Sequence, residues 1–227
     1  MPGAMASCRA MPHRGPPSLA AEPVPLLPEG EHVDLGMLLA GPGPIELEIG
    51  PGRGMFLLER AALRLDLRLL GIEVRRKWAA VVDARLRRLG FGARARVVCD
   101  DARQALPRLG PDGAVGVVYL HFPDPWWKKR HQKRMVVGDA LLDAAMRLLG
   151  DGGELFVQTD VEERAAQYEQ LLGRRSELAP AGDEPGSARL GANPYGARSN
   201  REKRVESDGL PVYRLRYRRL PRVTSGS

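Results

Sequence analysis

Two cysteines in 227 residues, Cys8 and Cys99, are too few for a disulfide framework or a cysteine-built metal centre, and they point to a reduced, cytoplasmic setting. The four histidines, His13, His32, His121 and His131, are scattered without metal-ligand spacing, so no metal is expected. His121, inside an apolar run, reads as a packed strand residue rather than a base. No stretch approaches the roughly 18 apolar residues of a membrane span, and the N-terminus lacks a basic region followed by an apolar one, so neither a membrane partner nor export is expected. Aromatic residues make up only 5% of the chain.

Hydrophobic residues at 43%, together with 26 glycines, suffice for a sizeable core, and the length fits one full-sized domain rather than two. Thirty-five Lys and Arg against 28 Asp and Glu leave a net charge of +7, which favours a polyanionic partner such as nucleic acid. Residues 1–30 hold seven prolines and no amphipathic period, so they read as a flexible tail ahead of a single domain over 31–222, with 223–227 as a second tail.

From Ile45 onward strand-type and helix-type patterns alternate. Strands are expected at 45–49, 67–74, 96–99, 115–121, 154–159 and 212–218, and helices at 55–64, 137–148 and 161–172. A further helix follows the second strand, with Trp78, Val81, Val82, Leu86 and Leu89 as its apolar stripe and arginines on its outer face. This alternation implies an α/β fold with a doubly wound, mostly parallel sheet, whose ligands sit at the carboxyl ends of the strands. The stretch 176–197, rich in Gly, Pro and Ala, reads as a long substrate-side loop or a hidden weak strand.

Three strand ends carry acidic residues. Glu48-Ile49-Gly50-Pro51-Gly52-Arg53-Gly54 has glycines for a tight turn and close ligand approach, with Gly50 and Gly52 as candidate contacts. Its spacing is not that of a dinucleotide site, and Glu48 would repel a phosphate; a carboxylate there suits a cation or hydroxyl-bearing ligand such as S-adenosylmethionine. Glu73, closing the second strand, is placed to accept from both ribose hydroxyls of an adenosine. Asp100 and Asp101 end the third, within reach of an adenine amino group, although Asp101 also suits a helix cap. After the central strand, Phe122-Pro123-Asp124-Pro125-Trp126 holds a carboxylate between two prolines, and five cations follow between Lys128 and Arg134.

These motifs, with Gln158-Thr159-Asp160, resemble the bacterial tRNA (guanine-N7-)-methyltransferase family over about residues 44–219. The resemblance implies a Rossmann-like class I methyltransferase fold, S-adenosylmethionine as cofactor and tRNA as substrate, methylated at N7 of guanine 46 in the variable loop. It also implies cofactor contacts at Glu48, Glu73, Asp101 and Asp124, with Asp124 catalytic. Lys128 and Asp160 match substrate-binding positions, and Arg130, His131, Lys133 and Arg134 match an RNA-contacting segment, in which Met135 stands where the family usually has arginine. Ser199 and Glu202 match the family's Thr-x-x-Glu, with Arg201 in place of an aromatic residue. A monomer is expected.

Guanine N7 carries a free lone pair, so methyl transfer needs alignment and exclusion of water more than a strong base, and a carboxylate such as Asp124 or Asp160 would stabilise the cationic product. Trp126 reads either as a stacking platform or as packing beneath the turn. Nine cations between Arg198 and Arg222 read either as a solvated face or as one wall of an RNA groove. Two further readings stay open: a methyltransferase of other base specificity, and a non-catalytic basic RNA-binding protein on the same fold. An NAD-dependent oxidoreductase fits the glycine spacing poorly.

Overall fold

The structure is a computed structural model, and it describes residues 23–123 and 137–222. A short β1 (Val33–Asp34) and α1 (Leu35–Leu38) lead into β2 (Ile45–Ile49), α2 (Met55–Leu63), β3 (Arg68–Ile72), α3 (Arg76–Arg88) and β4 (Ala95–Val98). The chain continues through α4 (Ala102–Ala105), β5 (Leu109–Gly110) and β6 (Val115–His121), and then α5 (Asp139–Leu148), β7 (Leu149–Thr159) and α6 (Glu162–Gly173). The short β8 (Leu178–Pro180) and β9 (Arg189–Leu190) precede α7 (Asn200–Ser207) and β10 (Tyr213–Arg219).

The main sheet runs in the order β4-β3-β2-β6-β7-β10-β8, with β9 also paired to β10. Its strands from β4 to β7 are parallel, and β10 is antiparallel to both β7 and β8. From β2 the chain winds one way to β3 and β4, and from β6 the other way to β7. The strand order therefore reverses between β2 and β6, where ligands of open α/β sheets bind.

Alternation along the strands builds three buried clusters among the described residues, one of them the aromatic group of Phe56, Tyr119, Phe156 and Tyr195. Ile45, Leu47 and Ile49 pack with Leu70, Ile72, Val118, Leu120, Leu155 and Val157 under Leu141, Tyr168 and Leu172 of α5 and α6. In a second cluster Leu69, Ala95 and Val97 meet Leu57 and Ala61 of α2 and Val82 and Leu86 of α3. Leu89, expected on the α3 stripe, lies just beyond the helix and is exposed.

Two expectations are revised. The strand expected at 154–159 begins at Leu149, because Gly152, with φ of 77°, lets the chain bulge and rejoin β6 instead of ending the strand. Part of the stretch expected to be tail is packed on the domain. The Cys99 amide donates to Pro25 O at 2.6 Å, Leu26 bridges Cys99, Leu27 is buried, and Arg108 Nε reaches Gly30 O at 2.8 Å. The 176–197 stretch contains both β8 and β9, each too short to carry a periodic signal.

Candidate cofactor and substrate site

The turn after β2 is built on left-handed glycines: Gly50 and Gly52 have φ of 73° and 57°, values that residues with a Cβ rarely adopt. Gly54 opens α2 without a side-chain cap, leaving the helix's first amides to the turn. Glu73 anchors the turn from the neighbouring strand. Its Oε2 accepts from the Gly52 amide at 2.8 Å, and its Oε1 accepts from the Arg75 amide at 2.9 Å and from Arg75 Nε at 3.0 Å.

Two cavities meet over this turn. The smaller, about 540 Å³, is lined by Ile49, Glu73, Asp100, Asp101 and Phe122 among others, the strand ends expected to hold an adenosine. The larger, about 720 Å³, includes Glu48, Gly52, Asp160, Ser199 and Arg201. Gly50, Arg75, His121 and Phe122 line both. Phe122 has φ of 49°, a strained value for a bulky residue that costs about 1 kcal/mol and tends to mark functional turns; it falls where the Pro-Asp-Pro motif begins.

β2 carries two buried carboxylates, and their surroundings separate them. Both oxygens of Glu46 are used: Arg60 donates to them at 2.9 and 2.7 Å, and the Tyr119 hydroxyl adds a third hydrogen bond at 2.9 Å. Glu46 is part of the scaffold. Glu48, two residues on and at the same face, accepts among the described residues only from His121 Nδ1, at 2.7 Å. Its Oε2 and the His121 Nε2 are buried without a partner among the described residues, although both residues line the larger cavity. His121 is packed in its strand as expected, but it also belongs to the site. A polar residue closing an apolar strand was the available signal; the register that sets it against Glu48, 73 residues away, was not.

Asp101 caps α4 through the Arg103 amide at 2.9 Å and pairs with the Arg103 side chain, which holds its carboxyl below the usual range. It lines the smaller cavity as well, so serving as the cap does not remove it from the cavity wall. Asp160 follows β7, lines the larger cavity and is paired with Arg201, whose Nε lies 3.1 Å from Oδ2. Ser199 caps α7, its Oγ accepting from the Glu202 amide at 3.2 Å.

Glu202, expected as a substrate contact, sits behind the walls of the two cavities. It is fully buried and lines neither cavity, because its carboxylate is taken by Gln158 Nε2 at 3.0 Å, Arg214 at 2.9 Å and Asn193 Nδ2 at 3.0 Å. Burial opposes its ionisation, but these hydrogen bonds and the Arg214 charge prevail and hold its carboxyl below the usual range. Asp124, Trp126, Lys128, Arg130, His131, Lys133, Arg134 and Met135 lie outside the described residues.

The late cations are largely spoken for. Arg198 pairs with Glu206, Arg214 with Glu202 and Glu206, Arg218 with Glu154 and Arg222 with Asp151, all within 3.1 Å. Lys203 pairs with Glu59. The face around β10 is thus substantially neutralised. By contrast Arg53, Arg76 and Lys77 are exposed and hold no ion pair among the described residues; Arg53 and Lys77 flank the Trp78 ring at 5.2 and 5.6 Å.

The described residues contain no group of three or more His, Cys, Asp or Glu side chains able to hold a metal, and no helix among them is long and apolar enough to cross a membrane. The fold is that of class I S-adenosylmethionine-dependent methyltransferases. Of solved structures, the 16S rRNA methyltransferase KamB aligns over 88% of this chain and 100% of its own, with a TM-score of 0.56 and 16% identity, a likeness of fold alone. Residues 42–215 match a family model described as a putative methyltransferase. A tRNA (guanine-N(7)-)-methyltransferase of Anaeromyxobacter dehalogenans is 41% identical over 77% of this chain and 85% of its own length, and that of Myxococcus xanthus is 34% identical over 77% and 82%. These matches run through every strand that shapes the two cavities, from the glycine turn to β10, and on that extent the chain belongs to the tRNA (guanine-N(7)-)-methyltransferase family.

Proposed function

We infer that this protein transfers the methyl group of S-adenosylmethionine to N7 of a guanine in tRNA, at position 46 of the variable loop. The observation that carries the reading is the junction of the two cavities at the strand-order reversal. There, strand-end carboxylates line the smaller space, and Glu48 and His121, each with one buried polar atom unpartnered among the described residues, belong to the lining of the adjoining one. The strand-end carboxylates Glu48, Glu73 and Asp101 supply acceptors for a ligand bearing ribose hydroxyls and an ammonium, while Arg53, Arg75, Arg103, Arg164 and Arg201 stand around the same two cavities. When bound, S-adenosylmethionine supplies an electrophilic methyl on its sulfonium.

The protein's own contribution follows from the chemistry of N7. The nucleophile is a lone pair already free of a proton, so these residues need not deprotonate it. They bring it in line at roughly 3 to 3.5 Å and exclude water. Asp160, in the larger cavity, is placed to accept from the guanine N1 and N2 donors once Arg201 yields, and its negative charge opposes the positive charge that grows on the ring. Asp124, directly after the strained Phe122 and Pro123, is assigned the catalytic carboxylate on the strength of its motif. Arg53, Arg76 and Lys77, exposed and without an ion pair among the described residues, are assigned as contacts for RNA phosphates.

The test is transfer of labelled methyl to tRNA lacking the modification, followed by nucleoside mass spectrometry and mapping of the site. N7-methylguanosine in the variable loop, with the rate of D124A lowered at least 100-fold, is the expected result. Another methylated nucleoside, or tRNA binding without methylation, overturns it.

A further inference from the structure

The hydrogen bond between Glu48 and His121 spans the strand-order reversal, joining the penultimate residue of β2 to the last residue of β6. Both side chains are buried, yet among the described residues each has one polar atom without a partner, Glu48 Oε2 and His121 Nε2, in residues that line the larger cavity. Buried polar atoms left unpaired are costly, and evolution retains them where a ligand completes them. A carboxylate oxygen only accepts, so the 2.7 Å contact makes Nδ1 the donor. Glu48 Oε2 therefore asks for a hydrogen-bond donor, and so does Nε2 whenever the ring carries the single Nδ1 proton.

The ring is held rigidly. Phe56 meets it edge-on with centroids 4.3 Å apart, Tyr119 stacks at 5.5 Å and Phe156 approaches at 5.9 Å, so the charged group facing it among the described residues is Glu48 alone. Contrast Glu46 on the same strand, whose oxygens are all satisfied by Arg60 and Tyr119.

We propose that His121 is a positioning residue for the amino-acid end of the cofactor. Through Nδ1 it fixes the Glu48 carboxylate so that Oε2 faces the cavity, and through Nε2 it adds a second acceptor, making a two-acceptor seat for an ammonium group. The α-ammonium of S-adenosylmethionine, with three N–H donors and a positive charge, is the group that such a seat selects. This rests on the cofactor reading above.

The test compares two ligands by calorimetry on the full chain. S-adenosylhomocysteine carries the ammonium, whereas 5′-methylthioadenosine keeps the adenosine and thioether but lacks the amino-acid end. His121→Phe retains the aromatic packing and removes both nitrogens; His121→Asn retains a donor toward Glu48 and removes the Nε2 acceptor. H121F is expected to weaken S-adenosylhomocysteine roughly 10- to 100-fold and to leave 5′-methylthioadenosine within about twofold, with H121N between wild type and H121F. Equal losses for both ligands, or no loss for either, overturn the seat. If H121F does not fold, H121N decides alone, and its loss must be confined to S-adenosylhomocysteine. Wild-type protein that binds neither compound overturns the seat together with the cofactor reading. Wild-type protein that binds S-adenosylhomocysteine, with the expected selectivity in the variants, but forms no N7-methylguanosine supports the seat and overturns the proposed function alone.

Discussion

Arg201 Nε lies 3.1 Å from Asp160 Oδ2, so the carboxylate assigned to guanine is held by a cation of α7 at the rim of the larger cavity. Asp160 side-chain exposure is 15% and that of Arg201 is 40%, so the pair is open to exchange with an entering base. D160A is expected to raise the KM for tRNA at least tenfold while leaving the Kd for S-adenosylhomocysteine within about twofold. R201A, which removes only a half-exposed partner, should unfold within about 1 kcal/mol of the parent. Steady-state kinetics, calorimetry and urea unfolding check the three statements.

Glu202 gives the molecule a defined acid sensitivity. Its carboxyl lies below the ordinary value in the folded protein, so it stabilises the fold at pH above the usual carboxylate range, and that contribution is lost as pH falls through the folded-state value. E202Q should cost about 2 to 4 kcal/mol at neutral pH, since Arg214 then keeps only Glu206. Its stability should also fall less steeply than wild type below about pH 4.5. Urea unfolding at a series of pH values measures both effects, and parallel curves would refute the assignment.

Arg76 and Lys77 occupy the first turn of α3, where the helix dipole disfavours cations and no acidic residue offsets them. Placement against the local preference is what a phosphate-binding role would demand. The R76E/K77E double variant is expected to weaken tRNA and to flatten the dependence of log affinity on log salt by about one to two units. Binding titrations at several salt concentrations give the slope directly.

A Cβ at Gly54 would stand 2.2 Å from Val82 Cγ1, and the residue has φ of 71°. G54A forces α2 away from α3 and should destabilise the protein by about 2 to 4 kcal/mol. Thermal unfolding against the parent tests this, and an unchanged midpoint would show that the two helices separate freely.

The parallel half of the sheet was legible because its strands are largely buried and apolar: the run 115–121 became β6 with the same bounds, and 45–49 became β2. Glu48, Glu73 and Asp101 were legible because strand ends in such a sheet converge whatever the details of packing. The role of His121 was not, since it depends on which residue of a neighbouring strand lies opposite. α7 was also overlooked, although Ser199-x-x-Glu202 is a capping-box pattern, because the helix behind it buries only Glu202 and Val205 and shows no apolar stripe. The burial of Glu202 was not legible for a related reason: a motif reveals that a residue matters, but its hydrogen bonds to Gln158, Asn193 and Arg214 depend on three-dimensional surroundings.

β10 lies between β7 and β8, so the strand made last in the sheet is the one that fastens its far side. On the ribosome the adenosine-side strands emerge and can pair early, whereas β7 waits with a bare edge and β8 has nothing to join until residue 213 and beyond leave the exit tunnel. Chains cut short in that interval present an unpaired edge to their neighbours, the hazard that sheet proteins usually cover or charge. Premature termination late in synthesis should therefore yield insoluble fragments rather than small functional enzymes.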